Sequence, residues 1–179
     1  PSSTGMQFVS WAASTDGDDF LKNGPQAGGY ISTMLLGVNE PDGTISGGSK
    51  PTKPEAYAKL WPTIVDKARS KGFTEFAGPQ LASSDPTKPG VGLNWMVRFM
   101  TALDQELVGK DKSSYLTYVS YHIYEPNCKN DASGIASYYQ GQMATWKEKL
   151  AQWWTEYNIQ GFVFSEFAGA PWSDACDAA

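Results

Sequence analysis

Apolar residues along this chain fall into two kinds of block, short near-continuous runs and longer stripes at helical spacing, and the two kinds alternate. The runs are MQFVSWA (6–12), TMLLGV (33–38), GFTEFA (72–77), YLTYVSYHIY (115–124) and GFVFSEF (161–167). They are rich in β-branched and aromatic residues, and their nearly unbroken apolar character predicts strands covered on both faces. After the second run, a loop rich in Gly, Pro, Ser and Thr leads to Thr52 and Glu55, which have the spacing of a capping box. Ala56, Leu60, Ile64 and Ala68 then recur at helical spacing with Tyr57, Trp61 and Val65, closed by Gly72, and Pro62 must kink or restart that helix. Residues 91–107 place Leu93, Met96, Val97, Met100, Leu103 and Leu107 on one side of a second helix. Residues 135–157 predict a third, long helix containing Met143, Trp146, Leu150, Trp153, Trp154 and Tyr157.

Strands separated by helical stretches of roughly 15 to 25 residues imply right-handed crossovers and a parallel sheet. In such sheets functional groups collect at the C-terminal ends of the strands. That rule selects Trp11, Asn39, Glu40, Gln80, His122, Tyr124 and Glu166 for attention.

Composition narrows the chemistry. At 179 residues the chain is long enough for one domain with a real core and short for two. Acidic residues outnumber basic ones 19 to 14 and no basic cluster stands out, so nucleic acid is not an expected partner. No apolar run approaches the roughly 18 residues of a membrane helix, and a soluble monomer is expected. His122 and two cysteines cannot make a His/Cys cluster of metal-ligand spacing, so no metal or cofactor is expected, although a carboxylate-only site for a hard cation stays open. Cys128 and Cys176 both lie in loop-like sequence. A disulfide between them is expected and would imply an oxidising compartment; two free thiols are the alternative. Seven Trp and nine Tyr offer flat surfaces for the C–H faces of sugars, though most such rings are ordinary core.

The most specific motif is LLGVNEPDG (35–43), which sets Glu40 at a strand end behind Asn39. A carboxyl group beneath loops can exchange a proton with a substrate, Asn39 offers an amide to a sugar hydroxyl, and Pro41 turns the chain away. A second glutamate stands in FSEFAGAP (164–171), and a third, Glu75, in the near-identical FTEFAGP (73–79). Glu75 lies before its strand's exit, so it is expected to make a structural ion pair and no contact with the site. Asp42 and Glu125 are expected to be solvated loop charges, with substrate contact as the alternative.

NEPDG (39–43), SYHIY (120–124) and SEF (165–167), in that order, resemble clan A glycoside hydrolases, whose acid/base and nucleophile sit on strands four and seven of a (β/α)8 barrel. LLGVNEPDG, with LWP in the next helix and AGPQLA at the next strand, is similar to the endo-β-1,3-glucanases of glycoside hydrolase family 128. The resemblance spans about residues 6–169. It implies a single α/β catalytic domain, 1–179, of TIM-barrel type with parallel strands, incomplete here because only about strands 3 to 7 have sequence; a full barrel takes about 250 residues. It implies retaining cleavage of β-glucan with Glu40 as acid/base and Glu166 as nucleophile. Asn39, His122 and Tyr124 would support them, and Trp11, Tyr121 and Trp172 are candidate sugar platforms. The protein would be secreted or held in a cell wall. The alternatives are a non-catalytic carbohydrate-binding wall protein of the same fold, or a β-1,4-glycanase of the clan. The two catalytic carboxyl groups are expected about 5–5.5 Å apart.

Overall fold

The computed structural model describes residues 10–11, 33–43, 52–82, 90–124 and 131–168, with only the backbone at 10, 11 and 168. All five predicted runs contribute a strand to one sheet: β1 (Ser10–Trp11), β2 (Met34–Leu36), β3 (Glu75–Ala77), β4 (Tyr118–Ser120) and β6 (Gly161–Val163). Their order is β1-β2-β3-β4-β6, and every pairing is parallel. Neighbours in sequence are therefore neighbours in space, as short crossovers through helices require. A separate two-stranded parallel pair, β5 (Ile123–Tyr124) with β7 (Phe167–Ala168), continues the chain beyond β4 and β6. The run 115–124 is thus two short strands rather than one, preceded by a 3-10 turn at Lys112–Ser114 whose N-cap is Asp111.

The helices are α1 (Pro54–Ser70), α2 (Gly92–Glu106), α3 (Ala132–Lys149) and α4 (Ala151–Glu156). α1 starts without the expected capping box. Its N-cap is Lys53 with no side-chain cap hydrogen bond, and Pro54 at the first position has a preset φ and no N–H to satisfy. Glu55 turns instead to Arg98 on α2, with its carboxylate 2.7 Å from the guanidinium. The helix runs on through Pro62. Its inward face is Tyr57, Ala58, Trp61, Ile64, Val65 and Ala68, whereas Ala56 is exposed and Leu60 is 39 % exposed, so the expected stripe is rotated by part of a turn. The predicted third helix begins at Ala132, where Asp131 caps the Gly134 amide at 2.8 Å, and is divided at Leu150.

α1 and α2 share an aromatic cluster in which Trp95 stacks on Phe99 at 5.6 Å and Tyr57 lies between them and Trp61. This cluster reaches the sheet directly. The buried Tyr57 hydroxyl accepts the Val38 amide at 3.1 Å, just before Asn39 and Glu40. At the opposite end of the sheet Glu75 accepts from the hydroxyls of Thr33 (3.0 Å) and Tyr118 (3.1 Å), and among the described residues no Lys or Arg makes the expected ion pair with it. A half-buried carboxylate at the start of a strand is satisfied as well by hydroxyls as by a cation, without immobilising a long side chain.

Candidate active site

Backbone pairing beyond the strand ends brings the candidate residues together. The Gln80 amide donates to the Val38 carbonyl at 2.9 Å and the Glu40 amide to the Gln80 carbonyl at 2.7 Å, extending the β2–β3 ladder to the first glutamate. The His122 amide donates to Leu81 at 2.8 Å, and the Ile123 amide to the Glu166 carbonyl at 3.0 Å. One level of the sheet therefore carries Glu40, Gln80, His122 and Glu166. The close approach of β2 and β3 beneath this level needs glycines. A Cβ on Gly37 would lie 2.8 Å from backbone atoms of Gly78 and Pro79.

The side chains converge. His122 is fully buried, and its Nδ1 lies 3.1 Å from Glu40 Oε1 and 3.6 Å from Glu166 Oε2. The Tyr124 hydroxyl donates to Glu166 Oε2 at 2.6 Å. One carboxylate oxygen from each glutamate and a ring nitrogen of His122 all lie within 4.8 Å of one another. Glu40 is the more enclosed carboxylate and Glu166 the more open, with side chains 13 % and 46 % exposed. Two carboxylates and an imidazole at this spacing could share a small cation, a mixed ligand set that a search for His/Cys clusters in the sequence passes over. The same closeness serves proton transfer and nucleophilic attack at one carbon.

The other expected site residues divide. Asn39 is half-buried and bridges Gln80 through its backbone. Tyr121 is not a sugar platform: it is fully buried, stacked on Trp146 at 4.2 Å and edge-on to Phe162 and Phe164. Its position next to His122 puts it on the other side of the strand, toward α3, and burial pushes its phenol well above the ordinary tyrosine range. Trp11 pairs with Leu36 in β1, but its side chain, with Trp172, Glu125, Cys128 and Cys176, lies outside the described residues.

Asp42 is not a solvated loop charge. It is 7 % exposed, Oδ1 accepts the Ala82 amide at 2.8 Å, and Oδ2 accepts the Gly92 amide at 2.6 Å. Desolvation raises its carboxyl above the ordinary range, while the two amides pull it back. The sequence signal was the Asp-Gly pair after Pro41, which marks a turn whose Asp can bond to backbone.

Residues 2–171 match the glycosyl hydrolase catalytic core family, and the chain belongs to it. No curated protein matches. Among solved structures, the chain is similar to an endo-β-1,3-glucanase of GH128 subgroup II from Sorangium cellulosum, with 15 % identity and TM-score 0.56 over 95 % of this chain and 59 % of that one. It is also similar to an exo-β-1,3-glucanase of GH128 subgroup V from Cryptococcus neoformans, with 19 % identity and TM-score 0.50 over 94 % of this chain and 51 % of that one. The chain thus shares their fold while spanning between half and three-fifths of their length.

Proposed function

We propose that this glycosyl hydrolase core is a retaining β-1,3-glucanase in which Glu40 is the acid/base and Glu166 the nucleophile. The observation that carries the reading is the approach of the two carboxylates to within 4.8 Å. Retaining glycosidases hold their carboxyl groups about 5–5.5 Å apart, whereas inverting ones leave about 6.5–9.5 Å for a water molecule. This short approach of one oxygen from each supports retention. The linkage rests on the glucanases that share the fold, and on the motif residues 39–43. In the same reading the five-stranded sheet is about strands 3 to 7 of a (β/α)8 barrel, and the protein acts on polysaccharide outside the cell or in a wall.

The two glutamates differ as their roles demand. Glu40, the enclosed one, protonates the departing glycosidic oxygen. Glu166, more open and fixed by the Tyr124 hydroxyl, attacks the anomeric carbon to form a glycosyl ester. Glu40 then takes a proton from the water that releases the sugar with its original configuration. His122 Nδ1, 3.1 Å from Glu40 Oε1, holds the Glu40 carboxyl in place beside Glu166. Asn39 binds the hydroxyl beside the reacting carbon, and Trp11 and Trp172 remain the candidate platforms.

The test is hydrolysis of laminarin beside β-1,4-glucan and mannan, read as new reducing ends and as the anomeric configuration of the first product by NMR. Retained configuration is expected. Glu166→Gln should abolish turnover. Glu40→Gln should cripple laminarin while sparing the first step on an aryl glycoside with an activated leaving group, and Glu75→Gln should leave both rates near wild type. Binding without new reducing ends would instead mean a carbohydrate-binding protein of the same fold, and an inverted product would end the assignment of Glu166.

A further inference from the structure

We propose that Asp42 is a positioning residue for Glu40: its buried carboxylate ties the turn after β2 to both ends of the β3–α2 connection and so aims Glu40 at Glu166. The inference rests on the roles given to the two glutamates above.

Glu40 has φ +46°, the left-handed region, which a residue with a Cβ rarely adopts. Such a conformation persists only where the surroundings over-determine it. Three backbone bonds fix the turn that follows. The Glu40 amide is held by Gln80 at 2.7 Å, the Gly43 amide returns to the Glu40 carbonyl at 3.1 Å, and Pro41 accepts the Thr52 amide at 2.7 Å. Those bonds define the shape of the turn, and the Asp42 side chain adds an anchor to the connection between β3 and α2.

The anchor reaches two different segments. Ala82 follows Leu81, where bridging from β3 to Tyr121 ends, and Gly92 is the first residue of α2, whose amide the helix itself leaves unpaired. The carboxylate therefore joins the beginning and the end of the connection between β3 and α2, and places a negative group at a helix N-terminus. Among the described residues no Lys or Arg pairs with it, so these two amides stabilise the buried group. The Gly43 amide, next to Asp42, bonds the Glu40 carbonyl at 3.1 Å, so a displacement at Asp42 reaches Glu40 through that short turn.

Glu40→Gln, Asp42→Asn and Asp42→Glu, each checked for folding by thermal melting, are compared with wild type on laminarin and on the 2,4-dinitrophenyl β-laminaribioside. The second substrate has a leaving group that departs without a proton. Asn offers one acceptor oxygen and turns an N–H2 toward the other amide, so Asp42→Asn should lower kcat on laminarin by about 100-fold, the cost of roughly 1 Å of misplacement. KM on laminarin should stay within about twofold, and the first-turnover burst of dinitrophenol, the step that needs no proton from Glu40, should fall no more than about threefold, a weaker copy of Glu40→Gln. Asp42→Glu keeps the charge and both oxygens but lengthens the arm, and should give the same selective loss if Asp42→Asn does not fold. Equal losses on both substrates, a change confined to KM, or wild-type kinetics in folded Asp42→Glu would overturn the proposal. If Glu40→Gln shows no dependence on the leaving group, the acid/base assignment falls and the role of Asp42 falls with it. Selectivity in Glu40→Gln without selectivity in either Asp42 variant refutes the positioning role alone.

Discussion

Gly37→Ala tests how closely the sheet must pack beneath the candidate site. The added methyl would lie 2.8 Å from the Gly78 carbonyl carbon, the Gly78 oxygen and the Pro79 nitrogen, about 0.6 Å inside the 3.4 Å where ordinary contact begins. The obstacle is backbone, so no side chain can swing aside and β2 must part from β3. Three hydrogen bonds are at stake: the Gly37 amide to the Ala77 carbonyl (3.0 Å) and the Gly78 carbonyl (3.2 Å), and Gln80 Nε2 to the Gly37 carbonyl (2.8 Å). Overpacking typically costs about 1–3 kcal/mol, and weakening one or two of these bonds adds about 0.5–1.5 kcal/mol each, so a loss of roughly 2–4 kcal/mol is expected. For a chain of this size each kcal/mol moves Tm by about 2–4 °C, which gives a fall of roughly 5–15 °C. Gly141→Ala is the control within the same protein. Gly141 lies inside α3 with nothing within 4 Å of an added Cβ, so the same methyl should raise stability by up to about 1 kcal/mol. Differential scanning calorimetry of the two variants measures both. A Gly37→Ala variant melting within about 2 °C of wild type, or both variants falling equally, would refute the steric argument.

Tyr124→Phe removes the 2.6 Å donor to Glu166 Oε2. A hydrogen bond to a charged group is worth about 1.5–3 kcal/mol, and solvent at the half-exposed carboxylate reduces this toward 1.5, so kcat/KM should fall roughly tenfold on laminarin and on the activated aryl glycoside alike. Unchanged rates would remove Tyr124 from the machinery. Asp104→Ala takes the acceptor from Trp153 Nε1 (2.7 Å), the Tyr157 hydroxyl (2.8 Å) and Lys112 (2.9 Å), uniting α2, α4 and the 3-10 turn. Two part-buried neutral donors left unpaired should cost about 2–4 kcal/mol in urea unfolding, with activity per folded molecule intact; a cost under about 1 kcal/mol would show that water replaces the carboxylate freely.

Much of the fold was written locally. A run such as TMLLGV is nearly continuous because both faces of a central parallel strand are covered, and a stripe such as Leu93, Met96, Met100 and Leu103 recurs because one face of α2 is buried. Alternating runs and stripes leave few topologies, and the observed parallel order follows. The two glutamates were legible for a related reason, since strand ends are where such a sheet gathers its chemistry. Orientation was less accessible. On α1 the row Ala56, Leu60, Ile64 and Ala68 is buried only in its second half, whereas Tyr57, Trp61 and Val65 are buried throughout. Along 115–124, Tyr121 and Tyr124 have similar side chains, yet one packs on Trp146 and the other bonds Glu166, because alternation on a strand depends on where the ladder starts.

Tertiary structure alone decided the inner geometry of the site. Glu40, His122 and Glu166 are separated by 82 and 44 positions, so their meeting depends on the register of three strands, to which no local pattern points. The same holds for Asp42, whose two amide donors lie 40 and 50 residues onward. A short-range turn signal could announce a bend there, but only the neighbouring strand and helix could supply the partners that allow a charge to be buried and a left-handed glutamate to be held.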